Sequence, residues 1–183
     1  METEPGLGRF GLTRSRIRTR YYSAVPASFE APGTRLLGLW RTLSPLPGGA
    51  WLFSLILGFM VPYTGSIRPR VKVLEPGHAR IAIADRRAIR NNLRSVHAVA
   101  LVNLAEVTSG LAMLVGLPAT VRGIVIGLAI DYHKKARGPL VAESLVAIPV
   151  VTEPSEHQVR TAIRDQEGDL VAEAIVRWRL APA

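Results

Sequence analysis

Ser95-Val-His-Ala-Val-Ala-Leu-Val-Asn-Leu-Ala-Glu106-Val-Thr-Ser-Gly-Leu-Ala-Met-Leu-Val-Gly116 sets the architecture of this chain. Alanine, leucine and valine occur on every side with no alternation, over about six helical turns. Ser95 is placed to cap the start, and Gly116 with Pro118 marks the stop. A helix that is apolar all round is a buried helix. The rest of the chain must therefore wrap it.

The flanking residues supply the wrapping as strands. Ile67, Val71 and Val73 alternate with Arg68, Arg70 and Lys72, and Pro69 in this run favours a sheet edge. After the Glu75-Pro-Gly77 turn, Ala79, Ile81 and Ile83 alternate as far as Asp85. Beyond the helix four more strands are expected. Val121–Lys134 has large residues on one face (Ile124, Ile126, Leu128, Ile130, Tyr132) and small ones on the other (Gly123, Gly127, Ala129). Leu140–Val150 follows, then the run around Val159, Thr161 and Ile163. Leu170–Leu180 closes the set after an Asp165–Gly168 turn. Short turns between these late strands predict antiparallel hairpins. The pattern is α+β: one long central helix wrapped by a curved antiparallel sheet of about six strands.

Upstream, Leu36–Trp40 and Trp51–Met60 read as short helices separated by Pro45, Pro47, Gly48 and Gly49. Leu52, Leu55, Ile56 and Phe59 form an apolar stripe on the second, read chiefly as core and secondarily as a membrane-surface face. Residues 1–33 read as a flexible basic arm, and 34–183 as the folded domain, with the preceding helices in 34–62. Gly6-Leu-Gly8-Arg-Phe-Gly11 spells GxGxxG but follows no strand and opens no helix, so it is not a dinucleotide fingerprint.

The 183 residues fit one domain, and the 48% hydrophobic content is enough for a core. The absence of cysteine excludes disulfides, thiolate metal sites and a cysteine nucleophile. The net charge of +9 points to anionic partners, yet residues 9–41 alone carry seven arginines against one acid, Glu30. No secretory signal is apparent, and Ala50–Pro62 is too short to span a bilayer. A soluble, cytoplasmic protein is expected.

Between Ser95 and Val121 the one formally charged side chain is Glu106. In an apolar helix its carboxylate should be desolvated and its pKa raised, which makes it a functional candidate. A solvated stripe or a purely structural buried partner would explain it equally. Asn91, His97 and Asn103 are the polar residues nearby. The first-turn amides of His97, Ala98 and Val99 lack intrahelical acceptors and could bind an oxyanion, although a Ser95 cap would consume one. Nine residues separate His97 from Glu106, which puts them on opposite sides of the helix and ~14 Å apart along it. If both serve one carbonyl, two antiparallel copies of the helix must meet across a twofold axis.

The segment Asn91-Asn-Leu-Arg-Ser-Val-His97-Ala-Val-Ala-Leu-Val-Asn-Leu-Ala-Glu106 resembles the signature of hotdog thioesterases of the phenylacetyl-CoA and hydroxybenzoyl-CoA type. With Tyr132-x-Lys134-x-Ala136-x-Gly138 it resembles more closely still the hotdog subfamily called domain of unknown function 4442. The likeness runs from about Leu36 to the C-terminus. It implies a hotdog fold and a homodimer, or a tetramer, hydrolysing acyl-CoA or acyl-carrier thioesters. Glu106 would be general base or nucleophile. Asn91 and His97 would position thioester or water, and the Ala98 amide would donate to the oxyanion. Ala98 and Val99 stand where the characterised enzymes have glycines, which crowds the approach, and Glu106 replaces the commoner Asp.

Lys134, Lys135 and Arg137 end a strand and are candidates for gripping coenzyme A phosphates, or simply form a solvated basic turn. Coenzyme A enters as part of the substrate, with no other cofactor and no metal expected, since the histidines lack ligand spacing. Two other functions fit the same residues. One is a non-catalytic acyl or acyl-CoA binding module; the other makes the arm primary, docking on anionic lipid or nucleic acid. No nucleic-acid-binding signature accompanies the arm, so at most a weak membrane-surface contact is expected of it.

Overall fold

The computed structural model describes residues 32–183, so the basic arm lies outside the described residues. Helix α1 (Pro32–Leu43) leads through a turn into α2 (Gly49–Met60) and a short α3 (Pro62–Ser66). Strands β1 (Arg70–Glu75) and β2 (His78–Ile83) come next, then a 3-10 turn (Arg87–Ile89) and the central helix α4 (Ala98–Leu114). Strands β3 (Val121–Tyr132), β4 (Leu140–Leu145), β5 (Ser155–Arg164) and β6 (Leu170–Pro182) complete the chain.

The six strands form one antiparallel sheet in the order β1-β2-β4-β5-β6-β3. α4 touches every strand of it. This is the hotdog arrangement. Leu104, Ala105, Ala112 and Met113 of α4 are fully enclosed, as are Ile81, Leu140, Ile163 and Val176 on the strands facing it. Truncating a buried leucine such as Leu104 to Ala costs about 2–5 kcal/mol. Polar ties fix the rotation of the helix. Thr161 Oγ1 donates to the Ala105 carbonyl (3.3 Å) and bonds Ser144 Oγ (2.7 Å), while Trp178 Nε1 donates to Ser109 Oγ (3.3 Å).

β1 is an edge strand, as Pro69 implies, but it begins at Arg70 and not at Ile67. The short helix α3, unforeseen in the sequence, occupies 62–66. Arg68 then turns the chain at a left-handed φ of 49° before the strand can start.

Two strand expectations are corrected. β3 and β4 do not form a hairpin: β3 pairs with β6 at one edge, while β4 sits between β2 and β5. The linker between them crosses the sheet past the N-terminal end of α4. β3 also does not keep one large and one small face. A bulge between Val125 and Gly127 inserts a residue and reverses the alternation. Ile124 and Ile126 point outward, whereas Leu128 and Ile130 pack on the core. Gly123, before the bulge, seats α4: a Cβ there would lie 2.8 Å from Leu114 Cδ2.

Among the described residues no helix is long and apolar enough to cross a membrane.

Candidate active site

α4 starts two residues later than Ser95 capping would allow, because Asn91 has captured Ser95. Asn91 Oδ1 accepts from the Ser95 amide (3.2 Å), the Ser95 hydroxyl (3.1 Å) and the Leu93 amide (2.9 Å). This closes a tight loop just ahead of the helix. Asn91 therefore spends its carboxamide oxygen on architecture, leaving Nδ2 as its outward donor.

His97 takes the capping position instead. Its Nδ1 accepts from the Val99 amide at 3.1 Å, so the neutral ring carries its proton on Nε2. The His97 amide donates to the Ile89 carbonyl at 2.8 Å. Of the three first-turn amides expected to be free, two are thus engaged. The Ala98 N–H alone has no acceptor among the described residues, and Ala98 is exposed. One strong backbone donor at a helix N-terminus remains for an incoming oxygen.

Beside His97 lies a small cavity of about 180 Å³ lined by His97, Val99, Asn103, Tyr63, Ile89 and Arg90, among others; Ala98 is not among its lining residues. Asn103 is buried and donates Nδ2 to the Tyr63 carbonyl at 2.9 Å, tying α4 to α3. Arg90 was not singled out in the sequence. Its Nε donates to Asp85 Oδ1 at 2.6 Å, and Asp85 Oδ2 accepts from the Gly138 amide at 3.0 Å. The Arg90 hydrogen bond, and then the Gly138 amide, hold the Asp85 carboxyl below the usual carboxylate range against a counteracting desolvation.

The Tyr132–Gly138 motif now has a physical meaning. Tyr132 Oη donates to the Ala98 carbonyl (3.3 Å), and the Ala136 carbonyl accepts from the Val96 amide (2.8 Å). Gly138, at a φ of 70°, makes the bond to Asp85. Tyr132 at the end of β3 and Ala136 in the crossing linker thus brace the entrance to α4, while Gly138 ties the linker to Asp85 just beyond β2. Lys134 braces the β5–β6 turn: its ammonium sits 2.6 Å from Asp165 and 2.8 Å from Asp169, with Glu167 at 3.7 Å. Three carboxylates already surround Lys134, so it is not a free phosphate ligand. Lys135 and Arg137 are exposed.

Glu106 lies two turns further along α4. It is not among the residues lining the His97 cavity. α4 is not enclosed on all sides, as its composition suggests. Val99 is half exposed, and Val102 and Glu106 are partly exposed. These three recur at helical spacing and make one uncovered stripe. The Glu106 carboxylate accepts no hydrogen bond among the described residues, and burial pushes its pKa up.

The comparisons with known proteins follow this geometry. A family model described as domain of unknown function (DUF4442) matches residues 49–180. No curated protein matches significantly. Among solved structures, a structural-genomics crystal structure superposes with a TM-score of 0.71 at 25% identity, covering 82% of this chain and 99% of that one. A Pseudomonas aeruginosa protein of unknown function, described as a probable thioesterase, gives 0.66 at 22% identity, covering 75% and 97%. A Haemophilus influenzae thioesterase gives 0.58 at 12% identity, covering 66% and 82%. These likenesses bear on the fold, which is that of thioesterase-family hotdog proteins. The chain belongs to the domain of unknown function (DUF4442) family, whose model spans most of its length.

Proposed function

We propose that this chain is a thioester hydrolase acting on acyl-CoA at a composite site between two copies of α4. The observation that carries the proposal is the pairing of two unsatisfied groups on one helix. Among the described residues, Glu106 is a partly desolvated carboxylate with no hydrogen-bond donor, and the Ala98 amide is a helix-start donor with no acceptor. They stand eight residues apart, ~12 Å along the axis, too far to serve one carbonyl from a single chain. A second chain laid antiparallel on the Val99–Val102–Glu106 stripe brings one copy's Glu106 to the other's Ala98.

In this arrangement Glu106 takes a proton from water as the water oxygen bonds to the thioester carbon. The carbonyl oxygen gains the negative charge and accepts from the Ala98 N–H, with the His97 Nε2–H as a second donor. Collapse breaks the carbon–sulfur bond, and the departing thiolate takes the proton from Glu106. Direct attack by Glu106, through a transient anhydride later hydrolysed by water, uses the same geometry. The Asn91 Nδ2 is left to orient water or thioester. Lys135 and Arg137 are the exposed cations for coenzyme A phosphates, and the setting is cytoplasmic.

One observation favours a second reading, in which the site binds acyl-CoA without turnover. The half-exposed Val99 side chain stands beside the Ala98 amide, where a bulky carbonyl must approach. Purified protein offered a series of acyl-CoA chain lengths, with free-thiol detection, separates the two. Thiol release abolished in Glu106→Gln is expected. Saturable binding without release at any chain length would establish the binding module instead. A protein that stays monomeric while active would sink the composite site.

A further inference from the structure

A second concavity, of about 940 Å³, opens between α2 and the start of β1 and has no part in the chemistry above. One wall is apolar: Trp51, Leu55 and Phe59 lie at i, i+4 and i+8 on α2, and all three are exposed, Phe59 by 88%. This departs from the core packing expected of Leu55 and Phe59, because Phe53 and Leu57 on the other side of α2 face the core. The other wall is Arg68, Arg70 and Arg86, with no carboxylate lining the groove among the described residues. The nearest acid in sequence, Asp85, is committed to Arg90 and Gly138.

Arg86 is held in place. It donates Nη2 to the Ser66 carbonyl at 3.0 Å, while its Nε is buried with no acceptor among the described residues. Burial, and then the nearby Arg68 charge, lower the Arg86 pKa. Two like charges held beside an unsatisfied N–H are an arrangement that an anion relieves. Arg68 holds its side chain there at a left-handed φ of 49°, which glycine would adopt without strain. The apolar wall is continuous with this charge, and an exposed stripe of Trp, Leu and Phe marks an apolar ligand.

We propose that this groove binds a single-chain anionic amphiphile, its phosphate or carboxylate head between Arg68 and Arg86 and its alkyl tail along Trp51, Leu55 and Phe59. The site stands whether or not the chain hydrolyses thioesters.

The test is a fluorescence titration of the whole protein, since Trp51 is exposed while Trp40 and Trp178 are buried. Dodecyl phosphate and laurate are added below their micelle-forming concentrations, with dodecyltrimethylammonium and inorganic phosphate as controls. Saturable binding of either anion is expected, weakened about tenfold or more for the cationic amphiphile and for inorganic phosphate. Arg68→Gly should weaken anion binding about tenfold or more without lowering the melting temperature. Phe59→Ser should weaken the amphiphile and leave inorganic phosphate unchanged. Equal binding of the cationic amphiphile, undiminished affinity in Arg68→Gly, or a signal appearing only with micelles would overturn the proposal.

Discussion

Replacing Glu106 by Gln should remove activity and strengthen the fold together. The two side chains match in shape, so the Val99–Val102–Glu106 stripe keeps its packing. The carboxylate accepts no hydrogen bond among the described residues, so none is lost. What disappears is a charge whose burial lifts the pKa above its ordinary 4.5. The folded state therefore holds that proton more tightly than the unfolded chain does. Stability falls as pH rises from the ordinary value through the raised one, and the full penalty is present above it. Glutamine escapes that penalty. Because the carboxylate is only partly withdrawn from water, the gain is far below that of complete burial, on the order of 1 kcal/mol. This corresponds to ~2–4 °C in Tm for a domain of this size. Below about pH 4 both side chains are neutral and the difference closes. The same substitution removes the proposed general base, at an expected cost of about 10²–10⁴-fold in thiol release. In the unaltered protein that release should climb with pH through the raised pKa. Thermal melts of both proteins at about pH 4 and about pH 7.5, with thiol release over the same range, read out both effects. A variant that melts below the parent at neutral pH would refute the reasoning, because the carboxylate would then have a stabilising partner.

Other substitutions separate support from chemistry. His97→Ala should cost about 1 kcal/mol through loss of the Val99 cap, whereas His97→Asn, itself a good capping residue, should recover most of it in denaturant unfolding. Lys134→Met should lower Tm at neutral pH and leave the KM for acyl-CoA unchanged, while charge reversal at Lys135 and Arg137 raises it. Lys134 holds the Asp165 carboxyl below its ordinary range, so its contribution is present above that range and lost as pH falls through the lowered pKa. The Tm gap between Lys134→Met and the parent should accordingly shrink in acid. Thr161→Val should cost about 1–3 kcal/mol in denaturant unfolding, since the buried Ser144 hydroxyl and Ala105 carbonyl lose their shared partner.

The fold was legible where one pattern dominated. An apolar run with no alternation marked the central helix and its single acid, Glu106, although the Val99–Val102–Glu106 stripe is left uncovered. The features that escaped depend on contacts between distant residues. Nothing in the local sequence says that Asn91 will take Ser95, so the helix start was placed too early. Nor does it say that the Ile89 carbonyl and the His97 ring will engage two of three amides and leave Ala98. The β3 bulge reversed a face because one inserted residue is invisible to a period-two count. Lys134 looked like a phosphate ligand because the acids that claim it lie more than thirty residues away. Arg68 and Arg86 meet only after β1 and β2 have folded back.

The linker from β3 to β4 secures the start of α4, the end of β2 and the β5–β6 turn through a few hydrogen bonds on a largely exposed segment. Such segments open at lower free energy than the sheet and helix they connect. On warming, the start of α4, with the Ala98 amide proposed as oxyanion donor, should lose its alignment while the six-stranded sheet is still intact. Catalytic failure would then be a reversible event several degrees ahead of denaturation, and cooling from that interval should restore full turnover.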